Sequence, residues 1–428
     1  MLDIKLIRSN PDYVKACCKK REKDMDAVID EILDLDEQRR AATAKVDAMK
    51  AEQNAASREI PKIKKEGGDV SAIMAKMKEL SATVKEEDAK LGEIETRQRD
   101  LMLSLPNLPY DDVVAGGKEN NAVIHVWGEK PTFDFTPKDH VELCESLGMI
   151  DYKRGAKLGG NGAWVYRGLG ARMEWALLNF FISEHLADGY EFLLPPHMLG
   201  ESCGLTAGQF PKFADEVYKI GNPTGEPKFL LPTAETALVN LHRDEVLTLE
   251  ELPRKYCAYT PCYRREAGSY RSEERGMIRG HQFDKVEMVQ YTTAEGSAEA
   301  FEEMVGKAER LVQKLGLHYQ LSKLAAGDCS YSMARTNDIE VWIPSMGIYK
   351  EVSSASNARD YQARRGNIKY RDAEGKLQFA HTLNASGLAT SRIMPAIVEQ
   401  YQNADGSVTV PEVLRPFMGG IEVIKPQK

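Results

Sequence analysis

A seven-residue apolar repeat over residues 25–101 constrains the fold of this chain more than any other feature. Apolar side chains recur in two registers that lie three residues apart, first before and then after a short polar break. The first stretch has Met25, Ile32, Val46 and Ile60 in one register and Val28, Leu35, Ala42, Met49, Ala56 and Ile63 in the other. The second stretch has Val70, Met77, Val84 and Leu91, followed by Ile73, Leu80, Ile94 and Leu101. This period predicts long helices that pair along a narrow seam.

The break in the repeat, residues 64–69 (KKEGGD), is rich in turn-forming residues. Two helices joined by so short a turn must run antiparallel, which predicts a coiled-coil hairpin. About 40 residues at roughly 1.5 Å each would give an arm about 60 Å long, and Pro61 predicts a kink near its tip. Taken alone, the segment favours a dimerisation or spacer coiled coil over an arm that reaches a large partner.

Composition changes near residue 105. Residues 1–110 hold three of the 33 glycines and none of the four tryptophans, and the prolines at 106 and 109 end the helical pattern. We therefore expect two domains, a helical hairpin arm over residues 1–105 and a mixed domain over residues 106–428.

Strand-like and helical segments mix in the second domain. Residues 172–185 and 388–402 have helical spacing, whereas residues 256–264, 281–291 and 338–344 read as strands. Because helices do not alternate regularly with these strands, the sequence predicts an α+β fold with an antiparallel sheet flanked by helices.

Charge and motifs exclude several classes of protein. The 428 residues carry a net charge of −8, which does not suit a bulk DNA binder, and no apolar run is long enough for a membrane span. The first ten residues lack the apolar core of a secretory signal. Seven cysteines without a Cys-x-x-Cys pair argue for a reducing compartment, so we expect a cytoplasmic protein. No P-loop, Gly-x-Gly-x-x-Gly turn or His-Glu-x-x-His motif occurs.

The densest pattern of chemically active residues lies between positions 262 and 287. Arg264 and Glu266 precede a loop rich in arginine, and Phe283, Lys285 and Glu287 would share one strand face with His281. Arginine suits a phosphate, a phenylalanine ring can stack on a purine, and a buried carboxylate can hold an ammonium group. The alternative is an exposed hairpin with surface ion pairs, which this density of pattern disfavours.

The spacing of Arg264, Glu266, Arg279 and Phe283 resembles motif 2 of class II aminoacyl-tRNA synthetases, and its details resemble the seryl-tRNA synthetase family. The loop begins with EAGS at 266–269 and ends with GMIRGHQF at 276–283. Eight further segments agree, in order, with that family. They are residues 1–8, the predicted arm and, beyond the arm, residues 189–196, 206–213, 231–235, 349–354, 362–365 and 384–392. The resemblance implies a class II catalytic domain behind a tRNA-binding coiled-coil arm.

The resemblance also implies roles for individual residues. Arg264 would be catalytic. Serine would be bound by Thr233, Ala234, Glu235, Glu287, Asn384 and Ser386. ATP would be bound by Arg264, Arg265, Glu266, Arg279, Phe283, Glu351, Val352, Ser353, Ser354 and Arg392, with Glu351 and Ser354 also holding Mg²⁺. Taken singly, each of these residues could instead be a helix cap, a surface charge or a core side chain.

The implied reaction is serine–tRNA ligation. The enzyme would convert L-serine and ATP to seryl-adenylate and transfer the seryl group to the 3′ end of tRNA(Ser), with tRNA(Sec) as a further candidate. Family members are usually homodimers. A carrier-protein ligase paralogue is the alternative, but such paralogues typically lack the arm. A non-catalytic RNA-binding regulator would have lost Arg264, Glu287 or Arg392, all of which are present.

Several positions depart from the pattern common in bacterial relatives. Ala355 and Ala358 stand where many relatives have cysteine, Ala385 replaces a glycine, and Thr390-Ser391 replaces a Val-Gly pair. Drift is the simpler interpretation. The other is a second-copy enzyme that tolerates an inhibitor resembling seryl-adenylate.

Overall fold

The computed structural model describes residues 1–266 and 276–427. The chain divides into two compact units. One comprises Leu2–Lys19 and Lys23–Leu105, and the other comprises Met1, Lys20–Glu22 and Pro106–Lys428.

The first unit is helical. Its helices are α1 (Ile4–Ser9), α2 (Pro11–Lys20), α3 (Asp26–Lys65) and α4 (Ser71–Ser104). Ion pairs join Glu31 to Arg97 and Glu52 to Lys76, so α3 and α4 run antiparallel as predicted. Beyond residue 44, the seam positions of the apolar repeat are the less exposed ones on both helices, because one narrow stripe of each helix meets the other. Helix α3 continues through Pro61 to Lys65.

A buried carboxylate stabilises the first unit close to the start of the hairpin. Asp36 is 1% exposed and accepts hydrogen bonds from the guanidinium groups of Arg8, Arg39 and Arg40. Burial opposes ionisation of Asp36, but the three arginines outweigh it and lower the pKa of Asp36 to about 2.

The second unit contains eight further helices among the described residues. They are α5 (His140–Ser146), α6 (Tyr152–Gly159), α7 (Gly168–Ala187), α8 (Glu201–Ala207), α9 (Glu235–Leu238), α10 (Ser297–Lys314), α11 (Tyr361–Gly366) and α12 (Thr390–Gln400).

An eight-stranded sheet organises this unit. Its strands, in spatial order, are β1 (Ala122–Trp127), β10 (Tyr319–Lys323), β11 (Arg335–Ile343), β12 (Ile348–Asn357), β15 (His381–Ala389), β9 (Gln282–Thr292), β8 (Arg254–Tyr263) and β4 (Glu191–Leu193). Every neighbouring pair is antiparallel except β4 with β8. The predicted antiparallel sheet is confirmed.

The remaining strands pair in small sheets. These strands are β2 (Ile150–Asp151), β3 (Val165–Tyr166), β5 (Met198–Gly200), β6 (Lys228–Leu230), β7 (Val246–Leu247), β13 (Lys369–Arg371), β14 (Leu377–Phe379), β16 (Val408–Thr409) and β17 (Val423–Ile424).

The two faces of the large sheet pack differently. On β9, Val286 and Met288 join the core formed with the long helices α7, α10 and α12. Val289 and Tyr291 alternate with them and pack in a second cluster with residues of α9 and α11. The face that carries the short helices also carries Lys285 and Glu287 of β9.

One predicted boundary was wrong. The helix predicted over residues 388–402 begins only at Thr390, because Leu388 and Ala389 belong to β15, and it ends at Gln400. Leu388 is fully buried within the strand, and apolar spacing alone does not separate a buried strand from a helix start. Among the residues that the structure describes, no helix combines the length and the apolar character needed to cross a membrane.

Candidate active site

The site is organised by β9 and its two neighbouring strands. Phe283, Lys285 and Glu287 alternate along β9, and Glu287 lies opposite Ser386 on β15. Strand β8 runs along the other side of β9, so that Arg264 follows directly where β8 ends. The residues predicted to share one strand face therefore lie within one region.

Thr233, Lys285 and Glu287 form a buried charged cluster. Thr233 donates a hydrogen bond to Glu287 Oε2 at 3.0 Å, and the Lys285 ammonium donates to Thr233 Oγ1 at 2.9 Å. Lys285 also forms an ion pair with Glu287, although the two residues are only 5% and 2% exposed, respectively. Burying two charges is tolerable only because they are paired and hydrogen-bonded.

Glu235 stands beside this cluster at the start of α9, preceded by the fully buried Ala234. Its backbone N–H donates to Thr233 Oγ1 at 3.2 Å, which fixes the entry into the helix. Burial, followed by the charge of Glu287, raises the pKa of Glu235 to about 7. A carboxyl with this pKa stands close to half ionised at neutral pH.

β15 closes the cluster on its other side. Ser353 of β12 donates to the Ser386 carbonyl oxygen at 2.6 Å, so the fully buried Ser353 supports the neighbouring strand. Asn384 is also buried, and its amide nitrogen lies 3.7 Å from Met333 Sδ. The predicted serine-binding residues Asn384 and Ser386 thus share a strand, with Ser386 the nearer to Glu287.

Arg264 and Phe283 lie against each other. The Arg264 guanidinium carbon is 5.1 Å from the centre of the Phe283 ring, and Arg264 Nε donates to the Pro232 carbonyl oxygen at 3.3 Å. Two acceptors in the loop before β6 hold Arg265: its backbone N–H donates to the Glu216 carbonyl oxygen, and Nη1 donates to that of Asp215.

Glu266, the last described residue before position 267, forms an ion pair with Arg279 at 2.5 Å. The pair joins the two ends of the predicted loop. Most of that loop, including Ala267–Ser269 of the EAGS motif and the arginines at 271 and 275, lies outside the described residues.

A second polar group lies on β11 and β12. Arg392 donates to the Glu351 carbonyl oxygen at 2.7 Å, and Ser354 donates to Asp338 Oδ1 at 2.6 Å. Val352 differs from these neighbours, because its side chain is 2% exposed and belongs to the apolar core. Any contact of Val352 with ATP would therefore come from its backbone.

This second group fits a magnesium ion bound together with phosphates. Glu351, Ser354 and Asp338 offer oxygen atoms, which Mg²⁺ prefers as ligands. Burial, followed by the negative charge of Glu351, raises the pKa of Asp338 well above its usual range. Across residues 1–266 and 276–427, no cluster of three or more His, Cys, Asp or Glu residues is arranged to hold a metal ion. ATP phosphates would have to supply the remaining ligands.

Helix α7 supports the end of β15 from the opposite face of the sheet. The fully buried His185 donates from Nε2 to the Gly387 carbonyl oxygen at 2.8 Å, and burial lowers the pKa of His185 to about 4. Thr390 donates to the Glu174 carboxyl group, whose pKa burial raises to about 8. Neutral donors and acceptors thus fix the segment between Ser386 and Arg392.

Three residues of the site have no role predicted from the sequence. Lys285 shares the predicted strand face, but the pattern assigns it no function. Asp338 contacts Ser354 through the pairing of β11 with β12, and Gln362 contacts Glu235 from 127 positions away in the chain. No local sequence signal reports such long-range contacts, whereas the charge of Lys285 at a buried alternating position could have been noticed.

The arrangement suits an amino acid and a nucleotide bound side by side. Two carboxylates and a hydroxyl group can hold an ammonium group, and Arg264 beside Phe283 can hold a phosphate and an aromatic base.

Two family models match the chain. Residues 1–109 match the seryl-tRNA synthetase N-terminal domain, and residues 218–401 match the tRNA synthetase class II core domain (G, H, P, S and T).

Full-length relatives are similar in sequence and in structure. A protein of Clostridium acetobutylicum named serine–tRNA ligase 2 is 60% identical over 98% of this chain and 99% of its own length. A serine–tRNA ligase of Fervidobacterium nodosum is 45% identical over the whole length of both chains. The crystal structure of seryl-tRNA synthetase from Pyrococcus horikoshii complexed with ATP superimposes with a TM-score of 0.92, at 34% identity and with 100% of both chains covered.

Proposed function

Since this chain belongs to the seryl-tRNA synthetase family and is an ATP-dependent serine–tRNA ligase, we propose that it activates serine in the cluster around Thr233, Glu235 and Glu287. The observation that carries this proposal is the presence of two carboxyl groups at one hydroxyl-lined site, next to an arginine that rests on an aromatic ring.

The serine pocket would recognise charge and size together. Glu235 and Glu287 accept hydrogen bonds from donors of the substrate, and Thr233 and Ser386 line a space for a small hydroxymethyl side chain. The backbone around Ala234 and the side chain of Asn384 complete this wall of the pocket. Lys285 pairs with Glu287 and supplies the opposite charge that a buried carboxylate needs.

Arg264 would act on the first chemical step. The serine carboxylate oxygen attacks the α-phosphorus of ATP, and pyrophosphate leaves as the bond to the α-phosphate breaks. Arg264 stabilises the negative charge that develops on the α-phosphate, so catalysis comes from positioning and electrostatics without a protein nucleophile.

The remaining residues would hold ATP. Phe283 stacks on adenine, Glu266 and Arg265 lie beside it, and Arg279 and Arg392 bind phosphates. Glu351 and Ser354 hold Mg²⁺, with Val352 and Ser353 contributing the strand between them. When bound, Mg²⁺ neutralises charge on the phosphates.

We infer the second step and the partners by analogy with the family. A hydroxyl group at the 3′ end of tRNA(Ser) attacks the carbonyl carbon of the adenylate, and AMP leaves. The arm of residues 1–105 binds the tRNA by its shape, while residues 106–428 carry the chemistry. The protein works as a cytoplasmic homodimer, and tRNA(Sec) is a further candidate substrate.

A second-copy enzyme is the other candidate, favoured by the name of the 60% identical Clostridium relative. Ala355 and Ala385 face each other across β12 and β15 and are fully buried, so cysteine or glycine there would alter packing directly beside the site. Restoring the residues common in relatives at positions 355, 358, 385, 390 and 391 tests this candidate. A seryl-adenylate analogue that inhibits both proteins equally would argue against it.

Serine-dependent ATP–pyrophosphate exchange, followed by charging of tRNA with and without a long variable arm, tests the main proposal. We expect exchange that requires serine, and charging that is selective for tRNA with the long arm. Exchange without charging would favour the carrier-protein ligase. A folded protein without exchange would overturn the assigned residue roles.

A further inference from the structure

Gln362, which has no role in the proposed reaction so far, connects three parts of the fold beneath the serine pocket. It lies in α11 and is fully buried. Its Nε2 donates to the Ala207 carbonyl oxygen at 2.9 Å and to Glu235 Oε1 at 2.7 Å. Its Oε1 accepts a hydrogen bond from Thr382 Oγ1 at 2.6 Å.

The neighbours of Gln362 determine which way its amide faces. A backbone carbonyl oxygen can only accept, so the amide atom that faces Ala207 must be the nitrogen. Thr382 is then left with the amide oxygen, and the second N–H proton points to Glu235. A flipped amide would bring two acceptor oxygens together at Ala207, in a fully buried place where water cannot compensate.

This geometry makes Glu235 different from Glu287. Glu287 has a cationic partner, Lys285, whereas the described residues give Glu235 no cation within ion-pair distance and no donor to Oε2. One oxygen of Glu235 is therefore committed to Gln362, and the other remains available as a hydrogen-bond acceptor. Because Glu235 is only partly buried, that oxygen can meet a ligand.

We propose that Gln362 is a positioning residue for serine selection, which holds Glu235 so that its second oxygen accepts a hydrogen bond from a donor group of serine. The inference rests on the proposed function, because it assumes that serine occupies the pocket around Glu235. It adds a residue that does not touch serine but decides how well serine is bound.

This role of Gln362 predicts a change in the pH dependence of serine binding. Burial and the charge of Glu287 raise the pKa of Glu235 to about 7, and the hydrogen bond from Gln362 and the charges of Lys285 and Arg264 offset part of this rise. Without the bond from Gln362, the pKa of Glu235 rises further. Serine binding, which needs the ionised acceptor, would then recover only at a higher pH.

The test is Gln362→Met, which keeps the length of the side chain and removes both N–H donors. In serine-dependent ATP–pyrophosphate exchange at pH 7, we expect the KM for serine to rise about tenfold or more, the effect of losing one hydrogen bond to a charged group. The KM for ATP should stay close to the wild-type value. Between pH 6.5 and 8.5, the acidic limb of kcat/KM for serine should move to higher pH.

Two further variants separate positioning from general damage. Gln290→Met removes another fully buried glutamine amide, which lies on the opposite face of β9 and donates to Tyr190 Oη at 2.6 Å, so it should leave the serine KM unchanged. Gln362→Glu keeps the shape of the side chain and serves if Gln362→Met does not fold. Its carboxylate repels Glu235, so its serine KM should increase as the pH rises.

The possible failures are distinguishable. If the unaltered protein shows no serine-dependent exchange, the proposed function falls and this inference falls with it. If the unaltered protein is active but Gln362→Met keeps the wild-type serine KM, the inference alone is wrong. It is also wrong if the KM values for serine and ATP rise by the same factor with no shift of the pH profile.

Discussion

The two units of the molecule use opposite charges in different ways. In the hairpin, the pair of Lys50 and Asp88 lies in solvent, with side chains 47% and 42% exposed. In the sheet, the pair of Lys285 and Glu287 is almost completely buried. An exposed pair gains little because water and salt screen it, whereas a buried pair exists only if each charge compensates the loss of water around the other.

The difference separates two tasks. The hairpin presents a long surface and needs only a narrow apolar seam to keep its helices together. The sheet places charges where water is scarce, which raises the pKa of Glu235 to about 7 and makes each neighbour of the site important for the others. Substitutions of charge should therefore have large effects in the sheet and small ones along most of the hairpin.

Arg264→Ala should have the largest effect. In the proposed mechanism the guanidinium group stabilises charge at the α-phosphate, so we expect its loss to lower serine-dependent ATP–pyrophosphate exchange by about a thousandfold or more. Circular dichroism should show an intact fold. The matched control is Arg254→Ala at the other end of β8, whose guanidinium donates to Tyr256 Oη at 3.0 Å and which should keep its exchange rate. Near-normal exchange by Arg264→Ala would refute its catalytic role.

Lys285→Met should be the most destabilising of these charge substitutions. It leaves Glu287 buried without a cation, and breaking such a pair costs about 3–5 kcal/mol in the free energy of unfolding. Urea denaturation of the full chain measures the loss. Adding Glu287→Gln to the variant should recover part of it, since a neutral amide needs no counter-charge. A double variant no more stable than Lys285→Met would contradict the ion-pair explanation.

The contrast between the units also explains what the sequence could predict. Seam positions such as Val46, Val84 and Leu91 follow from a seven-residue period, because each contact in a hairpin repeats a local rule. The strands predicted over residues 256–264 and 281–291 also depend on local sequence patterns, and they match β8 and β9 closely.

The remainder of the site depends on contacts that no local rule contains. The bond between Gln362 and Glu235 requires α11 to pack beside α9, and the bond between Ser354 and Asp338 requires one register of β11 on β12. A one-residue shift of that register would exchange the faces of the strand. The family resemblance supplied the roles of individual residues, but it did not supply these supporting contacts.

Shortening the hairpin should separate its task from that of the sheet. Removal of residues 47–83, with Val46 and Val84 joined through a turn copied from residues 67–69, leaves the buried residues near the start of the hairpin in place. We expect serine-dependent exchange to stay near the wild-type rate, while kcat/KM for tRNA charging falls on the order of a hundredfold, as a few phosphate contacts are lost. Unchanged charging would contradict the proposed role of the arm, and lost exchange would contradict the independence of the two tasks.

Asp36→Asn tests the exception within the hairpin, because Asp36 is the one place there where a buried carboxylate holds several arginines. At pH 7 we expect the local free energy of opening to fall by about 1–2 kcal/mol, a moderate loss because Arg8 and Arg40 are partly exposed. Amide hydrogen exchange in the first turns of α3 measures this loss. Lys50→Ala, which removes only an exposed pair, is the matched control and should not change the exchange rates.

The pH dependence of the same amide hydrogen exchange shows whether the charge of Asp36 provides the stabilisation. The pKa of Asp36 in the folded protein is lowered from 3.8 to about 2, so its stabilisation is complete above about pH 4 and disappears as the pH falls through 2. The difference between wild-type protein and Asp36→Asn should therefore be constant at neutral pH and shrink over that acidic range. A difference that stays the same down to pH 2 would mean that Asp36 contributes packing and not charge. In that case, no ion pair along the hairpin would matter as the buried charges of the sheet do.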